Sequence, residues 1–318
     1  MAADPVKLLF VTGWDRSGST VLDLLLNGVE GFFAAGELDY LWQRGLLEGR
    51  LCGCGRPITR CPVWQQVVEG VYGRMPGPAE IAAAMRIRKK ELRVRQTWRI
   101  LRTGGRDLTS HLSLLGAIYR EIAEVSGARV VVDSSKRPSS AALTTLLPDV
   151  DPYILHLVRD PRAIAYSMGR RPKPEPDTRY RSAMPRHGPV KSASGWVLWN
   201  LAAERVRRAV PRGRSMFLRY EDFVVRPRDT IRWIAEVMGE DTSTGSFVDQ
   251  TTAAIGTNHT VSGNPVRFTH DTITIQLDDE WLRKQSLLDR SISTTLALPF
   301  LRRYGYGVGV PPPERRLA

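Results

Sequence analysis

Apolar positions in this chain fall in short runs that end on glycine or a polar residue, with longer stretches of helical spacing between them. The first run, 8–11, has strand length and leads into the small, polar turn Thr12-Gly13-Trp14-Asp15-Arg16-Ser17-Gly18-Ser19-Thr20. Val21, Leu22, Leu24, Leu25 and Leu26 then predict a helix that is apolar around most of its surface. A second run ends at Gly36-Glu37, a strand closing on a carboxylate. Helical spacing fills 79–125 and breaks at Gly104-Gly105. The run 129–132 predicts a buried strand leading into Asp133-Ser134-Ser135-Lys136. Another strand ends at Arg159, where Asp160 is placed as N-cap, Pro161 as the first helical residue, and Ser167 within the next two turns. Residues 169–194, rich in Pro, Arg and Lys, predict a long irregular insertion. Helices are expected at 196–210, 228–238 and 279–298, a strand at 216–219, a polar loop at 257–268 and a disordered tail from 311.

Strand, glycine turn, buried helix is the layout of a loop that cradles an anion, because backbone N–H groups and the positive end of the helix dipole converge on one point. The spacing Gly13-x4-Gly18-Ser19-Thr20 has the skeleton of the nucleotide loop G-x-x-x-x-G-K-[ST], but Ser19 stands at the lysine position and the nearest cation is Arg16. A magnesium-nucleotide kinase needs that lysine on the β- and γ-phosphates, so the loop suits a different anion. At the carboxyl edge of a parallel sheet, Glu37 becomes a candidate base and Arg159 with Ser167 a candidate grip on a phosphate.

Composition adds direction. The 318 residues are 42% hydrophobic and 25% charged, ordinary for one large α/β domain. The net charge of +13, mostly from arginine, calls for an acidic partner and suits planar recognition of oxyanions. It also motivates a rival reading as a basic nucleic-acid-binding protein, against which stand the even spread of charge and the lack of a nucleic-acid module. No apolar run is of membrane-spanning length and no leader is visible, so a cytoplasmic protein is expected. Cys52, Cys54 and Cys61 are the only cysteines; a zinc site needs a fourth ligand, and all five histidines lie at 111 or beyond, so reduced, packed thiols are expected ahead of zinc, with no metal site assigned.

Four islands together resemble the sulfotransferases that use 3′-phosphoadenosine 5′-phosphosulfate (PAPS), closest in look to bacterial members and to the carbohydrate and tyrosyl-protein branches. They are GWDRSGST at 13–20, DSSKRP at 133–138, LVRDPRAIAYSM at 157–168 and HTVSGNPVRF at 259–268. The resemblance implies an α/β, three-layer P-loop-like fold: a central, mainly parallel sheet flanked by helices, in one domain over 1–318. A helical cap at 65–125 and a flexible loop at 170–195 would be its variable parts. It implies that Arg16, Ser17, Gly18, Ser19 and Thr20 hold the 5′-phosphosulfate, that Arg159 and Ser167 bind the 3′-phosphate, and that Arg267 belongs to a loop closing over the nucleotide. It further implies Glu37 as base and Lys136 as the group stabilising the leaving phosphate, with Arg16 assisting and no metal required. The cytosolic small-molecule branch has a histidine shortly after a lysine; here that region is Ser-Lys-Arg-Pro, which favours Glu37. The product would be the desulfated nucleotide (PAP). The acceptor would be a hydroxyl of a small molecule, saccharide or lipid; a peripheral membrane contact and a homodimer are compatible with this, and a nucleic acid is not expected.

Overall fold

The computed structural model describes residues 5–90, 92–170, 186–241 and 246–309. Five strands form one sheet, β1 (Val6–Thr12), β2 (Phe32–Gly36), β3 (Val130–Lys136), β4 (Val150–Val158) and β5 (Ser215–Arg219), in the order β2-β3-β1-β4-β5. Every neighbouring pair is parallel. Alternation along the strands makes three layers. Leu8 and Phe10 face one core with Val131 and Ile154, whereas Leu9 and Val11 face the other with Val130, Val132, Leu155 and Leu157. The helices α1 (Ser19–Leu26), α2 (Pro62–Tyr72), α3 (Pro78–Lys90), α4 (Gln96–Thr103) and α5 (Thr109–Ser126) follow in sequence. Of these, α1 packs in the second core, and α2 to α5 share the first core with the sheet rather than forming a separate body. Then come α6 (Pro138–Thr144), α7 (Pro161–Gly169), α8 (Pro189–Arg207), α9 (Tyr220–Val225), α10 (Pro227–Val237), α11 (Trp281–Lys284) and α12 (Leu287–Arg303).

Central β1 has β3 on one side and β4 on the other, so the connections after it part in opposite directions and leave a crevice at its carboxyl end. The register of β3 slips by one residue against β1 beyond Phe10, and that of β2 slips against β3 beyond Ala34. Bulges of this kind re-aim the side chains that follow, and here Glu37 and Lys136 follow them.

Two boundaries differ from expectation. The segment expected to stay irregular to 194 turns helical at Pro189, since proline after Gly188 opens α8; residues 171–185 and the tail from 310 lie outside the described residues. The helix expected at 279–298 is two helices, because Gln285 is extended and Ser286 caps α12 by accepting from the Asp289 amide at 3.1 Å. The cysteines also have company that the sequence order concealed: His259, 198 residues after Cys61, sits beside them.

Two buried carboxylates lie under the crevice without facing it. Asp133 accepts from Tyr119 Oη at 2.7 Å and from the Ser135 amide at 2.8 Å, so the strand-end acid that could organise magnesium in a kinase is already satisfied. Asp23, on α1, accepts from Ser134 Oγ. Burial pushes the Asp23 carboxyl up to about 7 despite that hydrogen bond and the pull of Lys136. An acid raised in this way adds stability that is fully present below its unfolded value and is lost as pH rises through about 7. Asp23→Asn keeps the size and the acceptor, so it should stabilise the fold at pH 8 by about 2–4 kcal/mol and far less at pH 4.5. Thermal unfolding at the two pH values measures this, and equal shifts would refute it.

Candidate active site

The crevice holds a cavity of about 350 Å³ lined by Arg16, Gly18, Ser19, Thr20, Glu37, Lys136, Arg159 and Ser167, all but two of the residues singled out from the sequence. Its floor is the β1–α1 turn. Gly13 has φ +152°, and a Cβ there would sit 2.2 Å from the Leu157 carbonyl oxygen, so only glycine lets the loop pass this close to β4. Gly18 has φ +93°, and a Cβ there would meet the Tyr220 ring at 2.6 Å. Between them Arg16 holds a left-handed φ of 67°. The start of α1 then opens directly into the cavity at Ser19 and Thr20, where the first helical N–H groups have no partner within the helix. Thr20 Oγ1 accepts from the Asn264 amide at 3.0 Å, which ties the 264–268 turn to the loop.

Lys136, at the end of β3, also has positive φ, 65°. Its carbonyl accepts from the Gly13 amide at 3.1 Å, Thr12 Oγ1 at 2.9 Å and Trp199 Nε1 at 3.1 Å. Three donors over-determine the costly backbone conformation, and the ammonium is thereby sent into the cavity. There it forms an ion pair with Glu37 and lies 3.9 Å from Asp15 Oδ1. Burial pushes the Glu37 carboxyl up, but Lys136 first and Arg44 second outweigh it and hold it at about 2. For Lys136, burial lowers the pKa, and Glu37 and Asp15 together more than reverse that.

On the β4 side, Arg159 is buried with its guanidinium 4.3 Å from the Tyr220 ring centroid. It donates to the Arg16 carbonyl at 3.1 Å and to Asp278 Oδ2 at 3.1 Å. Arg159 therefore props the loop that carries Arg16 while facing the same cavity as Ser167. Burial lowers the pKa of Arg16, and the nearby Arg170 and Arg159 lower it further.

Two predicted residues do not line the cavity. Ser17 is buried beneath the loop, its Oγ without a hydrogen-bond partner. Arg267 is buried too, and its guanidinium donates to the carbonyls of Thr260 at 2.8 Å and Leu51 at 2.7 Å. Among the lining residues not singled out from the sequence are Arg44, Arg170 and Tyr220. Arg44 lies 3.6 Å from the Tyr40 ring centroid and 3.4 Å from Glu37 Oε2. It stands on the π-helical stretch Leu41–Leu47, an irregularity often found at functional sites and without a mark in hydrophobic spacing. The cavity thus presents Arg16, Arg44, Lys136, Arg159 and Arg170 against Asp15, Glu37 and Asp278, a surplus of positive charge shaped for an anion.

The structure is similar to the sulfotransferase domain from the Synechococcus PCC 7002 olefin synthase, with a TM-score of 0.50 at 20% identity over 94% of this chain and 96% of that one. It is similar also to the sulfotransferase domain from the curacin biosynthetic pathway, with a TM-score of 0.51 at 15% identity over 96% of this chain and all of that one. No curated protein sequence matches the chain. At such identities the structural likeness speaks for the fold, a P-loop-like arrangement around a parallel sheet. The sequence speaks for more: the profile of the sulfotransferase family matches residues 9–244, so the chain belongs to that family and is a sulfuryl-transferring enzyme.

Proposed function

We propose that the enzyme moves a sulfuryl group from PAPS to a hydroxyl of a small-molecule, saccharide or lipid acceptor. The observation that carries this reading is the single cavity in which the α1 N-terminus and Arg16 meet Lys136 and Glu37 on one side and Arg159 and Ser167 on the other. PAPS carries about four negative charges at two ends, and a cavity cationic on both flanks is complementary to it. In the proposed mechanism the 5′-phosphosulfate lies on the amides of 18–20 with Arg16 beside it, and the 3′-phosphate lies against Arg159 and Ser167. The acceptor oxygen attacks sulfur in line with the departing phosphate oxygen. As the S–O bond to the acceptor forms, Glu37 takes the hydroxyl proton, while Lys136 and Arg16 stabilise the negative charge that grows on the phosphate.

A carboxylate held at about 2 is a poor base, so the Glu37–Lys136 pair has to part. A bound phosphosulfate competes for the ammonium. Once Lys136 turns to it, the strongest pull against burial is gone while Arg44 stays beside Glu37, and the proton affinity of Glu37 rises. Donor binding would then prime the base. The two sulfotransferase domains described above are named for biosynthetic systems, an olefin synthase and the curacin pathway, which favours a small-molecule or lipid hydroxyl.

Calorimetry tests the donor assignment: PAP should bind with clear heat in the absence of magnesium, and Mg-ATP should not. No heat with PAP and a clear signal with Mg-ATP would overturn it. A screen of hydroxyl compounds with radiolabelled PAPS then identifies the acceptor.

A further inference from the structure

Away from the crevice, Cys52, Cys54, Cys61 and His259 bring three thiol sulfurs and one imidazole nitrogen within 4.8 Å of one another. None of the cysteines is in a disulfide. The Cys54 and Cys61 sulfurs are 3.8 Å apart, and His259 Nδ1 lies 3.3 Å from Cys61 Sγ and 3.7 Å from Cys52 Sγ. With zinc–sulfur bonds of about 2.3 Å and zinc–nitrogen bonds of about 2.0 Å, a tetrahedron has S···S edges of about 3.8 Å and S···N edges of about 3.5 Å. The Cys54–Cys61 separation equals the first, the two His259 separations bracket the second, and the remaining three are no longer than 4.8 Å. We propose that these four residues bind one zinc ion as a structural Cys3His site.

The surroundings are built for it. Cys52 and Cys54 lie on a tight turn closed by Gly55 N–H to the Cys52 carbonyl at 2.8 Å, with Gly55 at φ +82°. Cys61 sits at the N-cap of α2, and Trp64 Nε1 donates to the His259 carbonyl at 2.7 Å. Four ligands and no open position mark a structural site rather than a catalytic one.

The ion would join the 52–61 turn to the 258–268 loop, the loop whose Val261 amide bonds the Ala35 carbonyl at 2.9 Å and whose Asn264 meets Thr20. Arg267 supports the same junction through the carbonyls of Leu51 and Thr260. The site rests on no assumption about donor or acceptor, and its failure would leave the proposed reaction untouched.

Mass-spectrometric metal analysis of the full chain, purified with a reducing agent and without chelator, should find one zinc per chain. A strong chelator should remove it, lower the Tm by at least about 5 °C and speed amide hydrogen exchange at 258–268; added zinc should reverse both changes, and magnesium should not. Cys54→Ser and His259→Ala should lose zinc. To keep the test independent of how these variants fold, cobalt added to the reduced, chelator-treated wild type supplies a second measurement, with the visible absorption of a tetrahedral thiolate site expected. Zinc-free protein that gains no absorption with cobalt, or a disulfide among the three cysteines in protein purified with the reducing agent, would overturn the proposal.

Discussion

Glu37→Gln is expected to lower kcat for sulfuryl transfer by about 10²–10⁴-fold, the usual worth of a positioned general base, while PAP binds as tightly as to the wild type or more tightly. The direction of the binding change follows from the ion pair. In the wild type a phosphate must draw Lys136 away from Glu37; in the variant only Asp15, 3.9 Å away, still holds the ammonium. Loss of turnover without loss of affinity is the signature of an interaction made in the transition state. The pH dependence carries an independent check. In the free enzyme Glu37 titrates near 2, so the acid limb of kcat/KM contributed by this group should lie below the working range. With donor bound and Lys136 redirected, the acid limb of kcat should move up, and Glu37→Gln should abolish it. Full turnover by the variant, on an acceptor that the wild type sulfates, would remove Glu37 from the mechanism. Unchanged pH profiles between wild type and a slow variant would mean that the side chain only positions Lys136.

Much of this arrangement is legible in the sequence for a physical reason. Strand, glycine turn and buried helix are local patterns, and the turn at 13–18 needs glycine where β4 and Tyr220 crowd it. Asp160-Pro161 fixes a helix start, and the Asp160 side chain does accept from the Arg162 amide. Pairing across long separations is another matter. Glu37 and Lys136 are 99 residues apart and meet only because β2 and β3 are neighbours whose bulges aim both side chains at one point. Arg44 stays hidden because the π-helical stretch that carries it, and that brings it to Glu37, leaves no mark in hydrophobic spacing. Sequence shows that Arg267 follows a polar turn but not that its guanidinium will turn to backbone carbonyls. His259 is the sharpest instance: it follows Cys61 by 198 residues along the chain, and the fold brings its Nδ1 to 3.3 Å from Cys61 Sγ.

Arg159→Ala should weaken PAP binding by about 10²-fold, since charge-assisted hydrogen bonds are worth about 1.5–3 kcal/mol and the loss occurs at a buried position. Two mechanisms contribute, and they can be separated. Arg159 would meet the 3′-phosphate directly, and it also props the loop through the Arg16 carbonyl. Adenosine 5′-monophosphate, which is PAP without the 3′-phosphate, distinguishes them. A direct grip predicts that the variant loses affinity for PAP but scarcely for the monophosphate. A loop-propping role predicts equal losses for both, and that result would end the 3′-phosphate assignment. Asp278 sharpens the comparison, because removal of Arg159 leaves its carboxylate facing the cavity without that partner. The double variant Arg159→Ala with Asp278→Asn should therefore recover part of the PAP affinity, and Asp278→Asn alone should tighten PAP binding by freeing the guanidinium for the phosphate.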